Sequence, residues 1–132
     1  PVKLKKLKVK KRYFNYLVFI SEDHKTILKK RTGKGIWQNL FEFPLIETKS
    51  EVGSEAVIKD DSFKEIVTTE FEIELFNETP IIHKLSHQHL YTKFWIVRTK
   101  ALKEDTVLIS ELQNYAVPIL ISNFIRSYNF QF

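Results

Sequence analysis

The segment His83-Lys84-Leu85-Ser86-His87-Gln88-His89 holds the densest set of side chains whose types and spacing suit chemistry. In an extended chain His87 and His89 point to one side, which suits a metal ion. A three-histidine centre would also need His83 to converge with them, and no cysteine or carboxylate lies close by in sequence. Surface or core-satisfied histidines are the simpler reading, so no metal centre is expected. Ser86 beside His87 has the types of a nucleophile and its base, yet adjacent residues of a strand face opposite ways, and a triad is not expected either. No catalytic residue is assigned.

The second candidate is Gly33-Lys34-Gly35-Ile36-Trp37-Gln38-Asn39-Leu40-Phe41-Glu42-Phe43-Pro44, which carries two of the three glycines and one of the two tryptophans. A phosphate cradle needs the spacing G-x-x-x-x-G-K-S/T on a turn from strand to helix, and this segment has neither. The glycines read instead as a turn that lets Trp37 and Phe41 enter a core, and Pro44 stops a helix or central strand from running on. The carboxylates between Glu47 and Glu78 are numerous but not gathered on a glutamate-rich helix able to hold Mg²⁺. They read as a solvated face.

These segments need elements to hold them. Arg12 to Ile20 is aromatic and β-branched and predicts a buried strand. A polar turn at 21–25 and a second strand from Thr26 to Lys30 then close a β-hairpin. A loop spans 31–38, Leu40 to Phe43 forms a short strand with alternating faces, and 46–59 reads as a surface loop. Asp60-Asp61-Ser62 supplies N-cap candidates for a helix whose apolar face is Phe63, Ile66, Val67 and Phe71. Ile73 to Phe76 is either its extension or a strand. Pro80 to Leu85 and Leu90 to Thr99 predict two strands joined at Ser86-His87-Gln88-His89. Val107 to Ser110 is a brief extended piece, with Ser110 a plausible N-cap and a turn at Glu111 and Leu112. Pro118 sits in the first turn of a closing helix with Leu120, Ile121, Phe124, Ile125 and Tyr128 on its apolar face. Strands and helices interspersed without regular βαβ repeats predict a mixed α+β sheet fold.

With 132 residues, 43% hydrophobic and 14% aromatic, the chain can bury the core of one domain. It has no cysteine, which excludes a disulfide framework, a thiolate metal site and an iron–sulfur cluster held by these residues, and suits a cytoplasmic protein. No apolar run approaches the ~20 residues of a membrane span, and the start lacks the apolar region of a signal peptide, so a soluble chain without a membrane partner is expected. A net charge of +5 favours an anionic partner without requiring one. Cations crowd residues 1–11, read as a basic connector or arm, and recur at Lys25, Lys29, Lys30, Arg31 and Lys34, whereas acids dominate the middle. The basic face reads equally well as a phosphate-binding surface, gaining affinity by counterion release, and as a generic solvated one. Starting at Pro1 and lacking methionine, the chain is expected to be part of something longer.

Arg31 followed by Gly35-Ile36-Trp37-Gln38-Asn39-Leu40-Phe41-Glu42-Phe43-Pro44, and then Lys84-Leu85-Ser86-His87-Gln88-His89-Leu90, resembles the C-terminal domain of MutY-type A/G-specific adenine DNA glycosylases. That family shows a basic residue, a Gly-Leu-Trp-x-x-Leu-Trp-Glu-Phe-Pro-like segment and a Phe-Ser-His loop between two strands, in this order. The resemblance implies a Nudix-like mixed β-sheet flanked by helices over residues 12–132. It implies no Nudix hydrolysis, because the R-E-x-x-E-E type of box that holds Mg²⁺ does not follow Pro44. The domain would be non-catalytic and would recognise 8-oxoguanine opposite adenine in double-stranded DNA, for base excision repair in the bacterial cytoplasm, at the nucleoid. By the same resemblance, the glycosylase chemistry, its catalytic carboxylates and a cysteine-bound iron–sulfur cluster belong to an N-terminal domain that this chain does not contain. Carried over residue by residue, Ser86 is the lesion reader, with His87 beside it and Leu85 in place of the family's phenylalanine. Arg31, Lys34 and Lys84 are expected phosphate contacts. Guanine offers an acceptor at N7 in the major groove, where 8-oxoguanine bears an N7–H donor that a serine hydroxyl can accept. Two other readings stay open: a Nudix-type pyrophosphatase acting on 8-oxo-dGTP, and a protein-interaction module whose basic arm docks a partner.

Overall fold

Runs of aromatic and β-branched residues favour extended backbone, and the two longest such runs form the two longest strands, of 12 residues each. The computed structural model describes residues 8–67 and 70–130. In chain order its elements are β1 (Lys10–Ser21), β2 (Lys25–Thr26), β3 (Lys29–Lys30), β4 (Phe41–Glu42), β5 (Leu45–Thr48), α1 (Ser54–Lys59), α2 (Asp61–Ile66), β6 (Phe71–Leu75), β7 (Ile81–Lys84), β8 (Gln88–Thr99), β9 (Val107–Leu108), a 3-10 helix (Ile109–Asn114) and α3 (Ile119–Ser127).

The long strands β1 and β8 lie side by side in parallel, from Lys10 opposite Gln88 to Ser21 opposite Thr99. β5 pairs antiparallel with the other edge of β1. The far edge of β8 is shared, β7 covering His89–Thr92 and β6 covering Trp95–Thr99. Asn77 fills the break between those two strands. Its side chain donates to Thr92 O at 2.8 Å and accepts from Phe94 N–H at 2.9 Å, standing in for a strand's own backbone. Pairs β2 with β9 and β3 with β4 form two small separate ladders.

A strand flanked by neighbours and covered on both faces is apolar on both. Phe14, Tyr16, Val18 and Ile20 of β1 join Phe94 and Ile96 of β8 under α3, where Phe124 stacks on Phe94 with centroids 4.2 Å apart. Leu17, Phe19, Trp95 and Val97 face the other way, against Val57 of α1 and Phe63 and Ile66 of α2. The result is the expected α+β arrangement, a mixed sheet with helices on both faces. No helix among the described residues is long and apolar enough to cross a membrane.

Several local expectations are corrected. The hairpin of 12–20 with 26–30 does not form: β8 takes one edge of β1 and β5 takes Tyr13–Tyr16 of the other, while the second segment splits into β2, paired with β9, and β3, paired with β4. The loop assigned to 46–59 contains most of β5 and all of α1, each too short to show a period. The predicted helix starts where expected, with Asp60 Oδ1 accepting from Ser62 N–H at 3.0 Å, but α2 ends at Ile66. Phe71 already belongs to β6, yet its ring meets Phe63 with centroids 5.0 Å apart, so the apolar spacing is satisfied across a change of backbone. Of the two readings open for Ile73 to Phe76, the strand holds, with Ile73 to Leu75 in β6. The 3-10 helix is capped by Leu108, not Ser110, and Pro118 is the N-cap of α3, not a first-turn residue. β1 begins at Lys10, so the last two residues of the supposed arm belong to the sheet, while residues 1–7 lie outside the described residues.

Because Asn77 is the hydrogen-bond bridge for the middle of β8, Asn77→Ala should destabilise the fold by about 2 kcal/mol, the scale of orphaned backbone groups. Urea denaturation of the two proteins measures it.

Candidate nucleic-acid interface

Residues 31–40 leave β3 and return to β4 as a closed loop. Arg31 N–H donates to Leu40 O at 2.9 Å, Asn39 N–H to Arg31 O at 2.6 Å, and Leu40 N–H to Trp37 O at 3.0 Å. Three loop residues have positive φ: Gly35 at 135°, Trp37 at 58° and Asn39 at 71°. Glycine takes such values freely and asparagine tolerates them. Trp37 has to be held there, and packing holds it, with its ring 6.4 Å from Phe14 and 5.7 Å from His83 between centroids. Trp37 and Phe41 are half-buried at the margin of the core; of the aromatics in this stretch, Phe43 alone is fully buried.

The Arg31 side chain pins the loop from within. Its Nε donates to Ile36 O at 3.2 Å, and its Nη1 lies 3.1 and 3.0 Å from the two carboxylate oxygens of Glu42. Tyr16 of β1 donates to the same group at 2.8 Å. Burial raises the Glu42 carboxyl above its ordinary range, against the opposing pull of the Tyr16 hydrogen bond and the Arg31 charge. Burial and the Glu42 charge push the Tyr16 phenol far up, which keeps it a donor. In the sequence Glu42 is legible only as an acid set between Phe41 and Phe43, a place where a charge turned inward has to be paired.

The second segment is a hairpin between β7 and β8 whose tip is Ser86 and His87, both exposed. Leu85 N–H donates to Gln88 O at 2.8 Å across the turn, and Lys10 N–H donates to His87 O at 3.0 Å from the neighbouring strand. Gln88 is fixed in turn by Arg12, whose Nη1 donates to its Oε1 at 2.9 Å while Nε and Nη2 engage Glu47 at 2.8 and 2.6 Å. The tip is therefore rigidly based and open at its end.

The fold brings together some of the expected site residues and separates others. Ser86 and His87 stand at the tip, and Leu85 is half-buried against the core cluster that also receives Ile36 and Trp37. Lys34 and Lys84 are exposed. Arg31 is turned inward onto Glu42, its side chain 19% exposed, so its charge serves the loop before any ligand. His83 faces Trp37, and among the described residues no three His, Cys, Asp or Glu side chains converge on a metal-sized point. After Pro44 the carboxylates are dispersed: Glu47 lies on Arg12, Glu51 is 2.8 Å from the Lys93 ammonium, and Asp60 caps α2. Among the described residues the carboxylates do not gather into a set that fits the Mg²⁺ of Nudix hydrolysis.

Residues 15–127 match a family model described as NUDIX domain. Among solved structures, one from work on MutT of the psychrophilic fish pathogen Aliivibrio salmonicida and the mesophile Vibrio cholerae superimposes with a TM-score of 0.52 at 17% identity, covering 90% of this chain and 100% of that one. At that identity the likeness concerns the fold, a mixed sheet flanked by helices. No curated protein sequence matches.

Removing the acceptor beneath Arg31 strands a half-buried guanidinium, so Glu42→Ala should cost about 2–3 kcal/mol and speed amide exchange at Asn39 and Leu40, read by hydrogen exchange. The hydrogen bonds from Arg12 hold the Glu47 carboxyl below its ordinary 4.5. Its stabilising contribution is therefore complete above pH 4.5 and lost as pH falls through the depressed value. Glu47→Gln should accordingly show a shallower loss of stability between pH 5 and 3, measured by denaturation across that range.

Proposed function

We propose, from the premise that the chain belongs to the NUDIX domain family, that it is a non-hydrolytic member that reads 8-oxoguanine opposite adenine in duplex DNA. One observation carries this reading: Ser86 and His87 project from a hairpin tip based on hydrogen bonds from Leu85 and Lys10, with exposed Lys84 beside them. A hydroxyl presented at such a tip accepts from the N7–H of 8-oxoguanine, whereas guanine offers only an acceptor there. His87 approaches the lesion or its backbone. Leu85 supports the tip from the core side, so its contact is apolar and not an aromatic wedge. Lys84 and Lys34 meet phosphates, contacts that position without specifying; Arg31 acts mainly through the loop that carries Lys34.

In this reading adenine excision, with its iron–sulfur cluster, belongs to a separate catalytic domain of a parent adenine DNA glycosylase working at the bacterial nucleoid. That domain and this one enclose the duplex together. Family membership and the MutT-like fold favour a second reading, a pyrophosphatase acting on 8-oxo-dGTP; the dispersed carboxylates weigh against it.

Ser86→Ala should reduce discrimination between 8-oxoguanine:adenine and guanine:adenine duplexes by about 1 kcal/mol, the scale of one net hydrogen bond. Lys84→Ala should weaken both duplexes alike. The ratio of dissociation constants tests both, and unchanged discrimination in Ser86→Ala would remove Ser86 from the site. Turnover of 8-oxo-dGTP in the presence of Mg²⁺ would sink the non-hydrolytic reading in favour of the pyrophosphatase.

A further inference from the structure

The sheet face opposite α3 is only partly covered. Residues opposite one another in paired strands share a face, so the register identifies what its open end presents. One row across three strands is Lys11 of β1, His89 of β8 and Lys84 of β7. The next row is Thr48, Tyr13, Tyr91 and Ile82, drawn from β5, β1, β8 and β7. Tyr13 and Tyr91 stack with centroids 5.3 Å apart and planes 23° from parallel, and the Lys11 ammonium lies 5.8 Å from the Tyr91 centroid. Neither tyrosine belongs to either apolar core cluster. Both are half-buried, Lys11 and Lys84 are exposed, and Ile82 is 46% exposed.

A third row closes the surface towards the core. Asn15 is buried and donates to Ile46 O at 3.1 Å while accepting from Trp95 Nε1 at 3.1 Å. Lys93 is buried with its ammonium on Val52 O and the Glu51 carboxylate. Glu51, from the segment after β5, is drawn onto Lys93, and the strand rows themselves carry no carboxylate among the described residues. The open surface therefore offers aromatic rings flanked by cations.

We propose that this face is a binding platform for single-stranded DNA, taking an unpaired base on the Tyr13–Tyr91 pair and the adjoining phosphates on Lys11 and Lys84. Aromatic side chains stack on any exposed base, and neighbouring cations follow the backbone. A duplex hides its base faces, so the rings select an unpaired nucleotide. An acidic peptide would satisfy the cations and leave the rings without a partner. The platform lies at the same end of the sheet as the Ser86 tip, since Lys10 bonds to His87 O and Lys11 pairs with His89. The choice of DNA over RNA rests on the lesion reading; the stacking and the charge pattern do not.

Fluorescence anisotropy with a labelled ten-nucleotide oligothymidylate tests it. The unmodified chain should bind in a salt-dependent way, with Tyr91→Ala weakening binding about tenfold, Tyr91→Phe retaining it, and Lys11→Ala lowering the salt slope by about one. If Tyr91→Ala does not fold, Tyr91→Leu keeps apolar bulk and still removes the ring. The proposal is overturned if the chain does not bind the oligonucleotide at low salt, if Tyr91→Ala or Tyr91→Leu binds like the parent, if polyglutamate competes as well as the DNA, or if oligouridylate of equal length binds more tightly. Should Ser86→Ala leave duplex discrimination intact while Tyr91→Ala still weakens the oligonucleotide, the lesion reading falls and the platform stands; the reverse pattern removes the platform alone.

Discussion

The contact on which the loop of residues 31–40 depends is the meeting of Arg31, Glu42 and Tyr16. Glu42 is 7% exposed and lies beside the central strand, where a lone charge would be costly. The Tyr16 hydroxyl and the Arg31 guanidinium satisfy it from two elements far apart in sequence. Through its backbone the same arginine closes the loop that holds Trp37 at a positive φ. Strain at Trp37, burial at Glu42 and closure at Arg31 are thus one coupled arrangement, and a change in any of them moves the loop that packs on His83.

The hairpin tip is built by a different device. β8 is longer than any single neighbour on its far edge, so two short strands share that edge, and Asn77 spans the gap with a side chain in place of backbone. The shorter of the two, β7, is thereby placed beside the first residues of β8, and its turn projects from the end of the sheet. The start of β1 runs alongside. Lys10 and Lys11, basic enough to resemble a linker, complete that end instead, one through its backbone and the other through its charge near Tyr91.

The two faces at this end of the sheet are chemically distinct. On the α3 side Trp37, His83 and Leu85 continue the core outward to the rim. On the other side the stacked tyrosines are half-buried beside exposed lysines, because α1 and α2, six residues each, pack on Leu17, Phe19, Trp95 and Val97 further along the strands. The NUDIX scaffold is thus retained in its fold while, among the described residues, its carboxylates are dispersed.

Taken by itself, the sequence determined the class of fold, the two long strands, an N-cap within Asp60-Asp61-Ser62 and a junction at Ser86-His87-Gln88-His89, of which the structure keeps Asp60 as the cap and Ser86-His87 as the turn, Gln88 and His89 opening β8. Each of these follows from local composition and short-range hydrogen bonding, which act within a few residues. It also carried the resemblance that led to Ser86. Only the tertiary structure decided that β1 pairs in parallel with β8, since partners so distant leave no periodic signal in either strand. That pairing decided the rest. It took one whole edge of β1, with β5 on Tyr13–Tyr16 of the other, and set Tyr13 against Tyr91 with Lys11 beside them, a juxtaposition made by register across strands and therefore absent from any linear pattern.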